Sequence, residues 1–292
     1  MNNTVKKPPW LSVRVNAADS EKRETIAATL RSLSLHTVCE EANCPNMVEC
    51  FGKGTATFMI LGSHCTRTCR FCAVDKSVPD SVNASEADDV VKAIAAFKLR
   101  YVVITSVTRD DIPDGGASHY VSVLKAIRAF DETIPVEVLI PDFGGNISSI
   151  IAVADVHPAV LNHNIETISR LYPAIRPQAD YQRSLELLAL VKRYSPALVT
   201  KSGIMVGLGE TEAEVHETLR DIRSTGCDCV TIGQYLAPSV KHAPVVSYVT
   251  PEAFDAYRTF ALSIGFSGVA SGPLVRSSYK AHTVYSATTS PR

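Results

Sequence analysis

Thr57-Phe58-Met59-Ile60-Leu61-Gly62-Ser63-His64-Cys65-Thr66-Arg67-Thr68-Cys69-Arg70-Phe71-Cys72 decides the fold. It joins an apolar run of strand length, Thr57 to Leu61, to three cysteines spaced C-x3-C-x2-C. Spacers this short let one loop present three sulfurs to one face of a metal cluster. A cubane iron-sulfur cluster has four irons, so Cys65, Cys69 and Cys72 would hold three and leave the fourth open to another ligand. A structural zinc site wants four protein ligands. Arg67 and Arg70 in the same loop either offset the charge of a thiolate-bound cluster or form a solvated face.

Upstream, Cys39, Cys44 and Cys50 repeat the count of three in a looser C-x4-C-x5-C pattern. Six of the eight cysteines therefore fall between Cys39 and Cys72, which reads as metal or redox chemistry and not as a disulfide framework. His36 and His64 leave a second reading open, a pair of Cys3His zinc sites. Cys227 and Cys229 flank Asp228 at the start of an apolar stretch and read as small buried hydrophobes.

Downstream, short apolar runs alternate with helical patterns, as in repeated βα units on a parallel sheet. Strands are expected at Thr57 to Leu61, Tyr101 to Thr105, Val136 to Ile140, Ala159 to Asn162, Leu198 to Val206 and Cys229 to Ile232. Capping boxes at Ser85/Asp88 and Thr211/Glu214 open two helices, and further helices fit about 20–33, then 118–130, 181–192 and 251–264. Six such units describe an α/β fold, a partial (β/α)6 TIM-type barrel with N-terminal and C-terminal extensions. In barrels of this kind chemistry sits in the loops after the strands, where the C-x3-C-x2-C motif lies. The expected divisions are 1–53, an extension carrying the first triad; 54–266, the barrel; and 267–292, a strap without periodicity.

Composition excludes other classes. Against 30 Asp plus Glu the chain has 29 Lys plus Arg, a formal net charge of -1, and no basic block of the kind phosphate binding needs. Nucleic acid is not an expected partner. No apolar run approaches the roughly 18 residues of a membrane span. Met1 to Trp10 has neither a signal core nor a transit pattern, so the chain as given reads as cytoplasmic.

The C-x3-C-x2-C loop after the first barrel strand resembles the radical S-adenosylmethionine (SAM) superfamily, in which SAM chelates the open iron of a 4Fe-4S cluster. Gly203-Ile204-Met205-Val206-Gly207-Leu208-Gly209-Glu210 is similar to that superfamily's G-x-I-x-G-x-x-E segment, with Met205 at the Ile position and Gly207 at the next Gly. The resemblance implies that this backbone passes the adenine, and that Phe71 lies against its ring. The superfamily's Gly-Gly-Glu is absent; Thr105 and Ser106 stand there and are the positional candidates for the SAM amino group.

Within the superfamily, the chain resembles the lipoyl synthase family through Thr37-Val38-Cys39-Glu40-Glu41-Ala42-Asn43-Cys44-Pro45-Asn46, Arg109-Asp110-Asp111, Asn162-His163-Asn164-Ile165-Glu166-Thr167 and Arg276-Ser277-Ser278-Tyr279. It departs in detail at Ala243 and Ser247. The resemblance implies two 4Fe-4S clusters, SAM, and insertion of sulfur at C6 and C8 of a protein-bound octanoyl chain. The auxiliary cluster would be held by Cys39, Cys44, Cys50 and a serine, Ser278 rather than Ser277, and would donate the sulfur. Asn162, Asn164 and Glu166 are candidates for the SAM ribose. Implied partners are an octanoylated lipoyl carrier domain (2-oxoacid dehydrogenase E2 or glycine cleavage H protein) and a ferredoxin or flavodoxin type reductant. Other two-cluster radical enzymes, such as a methylthiotransferase, and a non-enzymatic metal-binding scaffold remain as alternatives.

Overall fold

The computed structural model describes residues 6–12, 17–41, 44 and 46–289. Ala42, Asn43 and Pro45 of the first cysteine motif, and the ends of the two expected extensions, lie outside the described residues. In chain order the elements are α1 (Ala17–Ser32), β1 (His36–Thr37), α2 (Val38–Glu41), α3 (Met47–Gly52), β2 (Thr55–Ile60), α4 (Glu86–Phe97), β3 (Tyr101–Ser106), α5 (Ala117–Phe130), β4 (Val136–Leu139), α6 (Ile147–Asp155) and β5 (Val160–Asn162). They continue with α7 (Tyr172–Ile175), α8 (Tyr181–Tyr194), β6 (Val199–Val206), α9 (Glu212–Ser224), β7 (Cys229–Gln234), α10 (Pro251–Ser263), β8 (Gly268–Gly272) and α11 (Ala281–Thr289).

The strands are ordered β1 to β8 as they come in the chain, and the sheet is not closed. All six expected strands form. Two more join them: β1 pairs antiparallel with β2, and β8 pairs parallel with β7. The strap is thus more regular than its sequence suggests. Gly268-Val269-Ala270-Ser271-Gly272 takes its strand geometry from the β7 ladder, where Val230 opposes Val269 and Thr231 opposes Ala270. The RSSY segment turns between β8 and α11.

The chain divides into two units. One, Val13–Arg67 with Val74–Leu161, contains β1 to β4 in register; β2 is buried at every residue, as expected of a parallel strand covered on both faces. Its helices α4, α5 and α6 pack in succession and turn Val90, Ala93, Ile94, Val123, Leu124 and Val153 inward. The other unit, Met1–Ser12 with Thr68–Ala73 and Asn162–Arg292, contains the β6, β7 and β8 ladders, with Leu188, Val215, Leu219, Ile222, Ile232, Phe254 and Phe266 in one core.

Local expectations divide. Thr211 and Glu214 form the full capping box of α9. Ser85 does not: its hydroxyl goes to Asp89 and Asn83, because Asn83 holds the preceding turn. Cys227 and Cys229 are buried, and the Cys227 thiol donates to the Cys229 carbonyl (3.4 Å).

Candidate active site

The C-x3-C-x2-C loop is shared between the units: Cys65 goes with the first, Cys69, Phe71 and Cys72 with the second. In the first unit, Cys65 Sγ accepts backbone N–H groups from Arg67 (3.5 Å) and Thr108 (3.4 Å). Arg67 is neither solvated nor a loose counter-charge. Its guanidinium is 5% exposed and makes two bonds to Asp110 (both 2.8 Å) and one to Asp142 (2.6 Å). Burial opposes that charge, but the two carboxylates hold it more firmly than usual. Thr66 adds bonds to the Thr108 carbonyl and Asp110. Arg109 grips Asp111 and donates to the Leu61 carbonyl (3.2 Å). The loops after β3 and β4 thereby fix the path of the loop after β2.

At the end of β3, the Thr105 hydroxyl already donates to the Leu139 carbonyl (3.0 Å). The Ser106 hydroxyl is buried without a hydrogen-bond partner of good geometry among the described residues. Of the two positional candidates, Thr105 makes a hydrogen bond of good geometry, and the Ser106 hydroxyl lies beside that of Tyr120.

The same unit holds the other triad. Cys39 lies in α2 and is buried, Cys50 lies in α3, and Cys44 between them donates its N–H to the Cys39 carbonyl (2.9 Å). Burial, then the charges of Cys44 and Cys50, push the Cys39 thiol up. Three sulfur donors gathered on α2, α3 and the segment between them are a donor set that fits an iron cluster. Among the described residues no group of three His, Cys, Asp or Glu side chains is placed to hold a single metal ion, and His64 pairs with Asp80 (3.0 Å). A cubane spreads its sulfurs over three irons and asks for a wider triangle than one zinc ion.

In the second unit, Cys72 N–H donates to the Cys69 carbonyl (3.2 Å), and the loop is held by Arg70 N–H on the Ile175 carbonyl and Ala243 N–H on the Arg70 carbonyl (both 2.8 Å). His242 Nε2 lies 3.2 Å from the Cys72 carbonyl, and Gln178 accepts from the backbone and hydroxyl of Thr68. Phe71 and Met205, singled out separately in the sequence, border one apolar cluster with Ile175, Leu208, Tyr235 and Ala243. Beside them, Glu210 accepts the N–H groups of Gly207 and Leu208, which explains the acidic end of the G-x-x-E segment.

Asn162, Asn164 and Glu166 also converge. Asn164 Nδ2 donates to Glu166 Oε1 (3.0 Å), and Glu166 bridges to β6 through its own backbone, pairing with Ile204. Burial raises the Glu166 carboxyl, against the pull of Arg176 and the Asn164 bond, although the residue keeps a partly exposed edge. An apolar face beside amide and carboxylate groups fits an adenosine, base on one side and ribose hydroxyls on the other. Ser277 Oγ accepts from Asn162 (2.9 Å) and donates to Asn164 (3.2 Å). Ser278 is partly exposed in the following turn.

Sequence reasoning did not find the Arg67, Asp110 and Asp142 brace, the His242 contact or the bonds of Ser277 to Asn162 and Asn164. Asp142 stands alone between Pro141 and Phe143, without a local pattern to mark it.

Residues 59–222 match the model of the Radical SAM superfamily. Curated relatives named lipoyl synthase include one from Caldicellulosiruptor bescii, 54% identical over 277 residues, 95% of this chain and 94% of the relative. Another, from Alkaliphilus metalliredigens, is 52% identical over 279 residues, 96% of each chain. Among solved structures, methylornithine synthase (PylB) superposes with a TM-score of 0.58 at 12% identity, covering 86% of this chain and 74% of that one. Coproporphyrinogen III oxidase from Escherichia coli, described as a radical SAM enzyme, gives 0.52 at 12% identity over 76% of this chain and 56% of that one. Both structural likenesses bear on the fold alone.

Proposed function

The chain belongs to the lipoyl synthase family within the radical SAM superfamily, and on that premise we propose which of its residues carry the reaction. The enzyme inserts two sulfur atoms into an octanoyl chain carried on a protein, at C6 and C8. Saturated C–H bonds resist acids, bases and ordinary nucleophiles, so the cofactors carry the hard step and the protein supplies binding and orientation. Held by their cysteines, the SAM cluster would supply the electron for reductive cleavage of SAM, and the auxiliary cluster would supply sulfide.

Cys65, Cys69 and Cys72 hold the SAM cluster. Phe71 and Met205 flank the adenine; Asn162, Asn164 and Glu166 receive the ribose; the Ser106 hydroxyl is the better of the two candidates for the amino group, since Thr105 is engaged by Leu139. Cys39, Cys44 and Cys50 hold the auxiliary cluster with Ser278 as fourth ligand. Engagement of the Ser277 hydroxyl by two asparagines supports the choice of Ser278. An alcohol oxygen suits iron in a sulfide cluster less well than a thiolate, which leaves that corner the easiest to open. By role, 1–53 carries the auxiliary triad, 54–266 the radical chemistry and 267–292 the serine ligand.

The octanoyl group arrives on the lipoyl carrier domain of a 2-oxoacid dehydrogenase E2 or on the glycine cleavage H protein, and a ferredoxin or flavodoxin reduces the SAM cluster. The near-neutral charge suits a small folded partner. No helix among the described residues is long and apolar enough to cross a membrane, and thiolate-held clusters suit the reducing cytoplasm.

The observation that carries this reading is the high identity to lipoyl synthases over nearly the whole chain. Anaerobic turnover with an octanoylated carrier peptide, SAM and a reductant tests it. Lipoyl peptide is the expected product; methylthiolated or unmodified peptide would overturn it.

A further inference from the structure

The RSSY segment holds two adjacent serines, of which the proposed ligand role uses one. Ser277 is 115 residues from Asn162 and 113 from Asn164 in sequence, yet its hydroxyl bonds to both amides at once. It accepts from Asn162 Nδ2 and donates to Asn164 Oδ1, so both its polar functions are spent on the end of β5. The chain continues from there through Asn164 Nδ2 to Glu166.

Two glycines make room for this arrangement. A Cβ on Gly203 would fall 2.9 Å from Asn164 Oδ1 and 2.5 Å from Thr231 Oγ1, so only glycine lets Asn164 occupy its seat against β6. A Cβ on Gly233 would fall 2.3 Å from the Val275 carbonyl oxygen, so only glycine lets the strap lie directly on β7. Arg276 then donates from NH1 to the Val275 carbonyl (2.8 Å) and the Gln234 carbonyl (3.4 Å). The segment carrying Ser278 is thus seated on backbone by its neighbours and tied to Asn162 and Asn164 by the Ser277 hydroxyl.

We infer that Ser277 is a positioning residue that couples two sites: its hydroxyl orients Asn162 and Asn164 toward SAM and, by the same bonds, fixes the turn that presents Ser278. The inference rests on the assignments of the ribose side chains and of Ser278 made above. Its consequence is reciprocal, because two sites that share one locked element bias each other by the same factor. SAM binding should sharpen the environment of the auxiliary cluster, and loosening the strap should weaken SAM.

The test uses the full chain reconstituted with both clusters under anaerobic conditions. SAM dissociation constants are measured by equilibrium dialysis, and the auxiliary cluster is read by Mössbauer spectroscopy with and without SAM. Losing two neutral hydrogen bonds in Ser277→Ala should weaken SAM about tenfold and remove the effect of SAM on the auxiliary spectrum, while Ser277→Thr, which keeps the hydroxyl, restores both. Ser278→Ala should change the auxiliary spectrum and leave SAM affinity within about twofold of the parent, since it removes no bond to the asparagines. Unchanged SAM affinity in Ser277→Ala would overturn the inference. So would failure of Ser277→Thr to restore the affinity that Ser277→Ala loses, the result expected of a packing role alone. An auxiliary spectrum unaffected by Ser278→Ala would instead remove the ligand assignment itself, and would do so in a different variant. Should Ser277→Ala not fold, Ser277→Cys, whose thiol is a weak donor and acceptor, weakens the same two bonds and must weaken SAM in the same direction; unchanged affinity in that variant would overturn the inference.

Discussion

The two cysteine triads differ in what holds them. Cys65 sits on a loop braced by a buried Arg67 between Asp110 and Asp142, with two backbone N–H groups aimed at its sulfur. Cys39 and Cys50 are carried by two short helices, α2 and α3, packed on β1 and β2, with Cys44 between them; Cys39 is buried and its thiol pushed up by burial and by its neighbours. The difference suits the two tasks. A cluster that must return to the same geometry after every electron transfer benefits from a rigid, charge-locked frame. One that gives up sulfide needs ligands that can be vacated and refilled, and three thiols with the proposed Ser278 alcohol would provide that.

The contrast can be broken most sharply at Cys65. Cys65→Ala should abolish SAM cleavage altogether, measured as deoxyadenosine released under reducing conditions; residual cleavage near the parent rate would mean that the loop triad is not the SAM site. Next comes the brace. Asp142 is fully buried and Asp110 is 42% exposed, so Asp142→Ala should lower stability by about 3 kcal/mol, as expected for a buried charge losing its partner. Asp110→Ala should cost about 1 kcal/mol. Anaerobic denaturant titration of the two variants reads the difference, and equal losses would show that burial does not set the strength of the brace.

The smallest effect concerns Glu166. Its carboxyl is raised by burial, so the folded protein binds this proton more tightly than the unfolded chain. That penalty is absent below the ordinary carboxylate value of about 4.3 and grows as pH rises through the raised one. Glu166→Gln should therefore raise Tm at pH 8 by a few degrees, about 2 to 4 for a chain of this size, and the gap should close as pH falls toward the ordinary carboxylate value of about 4.3. The same variant should bind SAM more weakly. A Tm gap that does not change with pH would mean that the carboxyl is not destabilised by its surroundings.

Much of this was legible in the sequence because the informative patterns are local. The strand-then-cysteine stretch from Thr57 to Cys72 fixes the register of the barrel, and the Thr211/Glu214 box forms as its spacing demands. Phe71 and Met205, placed by motif alone, share one apolar cluster. What was not legible depends on partners far away in the chain. β8 is written in glycine, alanine and serine and becomes a strand only because β7 offers it a ladder. Two-residue β1 is too short to leave a period. Ser85 has the right spacing for a cap, but Asn83 and Asp89 compete for its hydroxyl. Asp142 and Ser277 act across 75 and 115 residues, beyond the reach of any window of pattern. The sequence motif marks the RSSY serines as one segment; the structure adds that Ser277, and not Ser278, bonds to Asn162 and Asn164.

The central claim is that one triad makes the radical and the other surrenders the sulfur. Cys39→Ala, reconstituted and given SAM, reductant and an octanoylated carrier peptide in a single-turnover experiment, tests it most directly, with deoxyadenosine and lipoyl peptide measured in the same reaction. Deoxyadenosine should still appear while lipoyl peptide does not. Lipoyl peptide formed at the parental yield would contradict the division of labour between the triads.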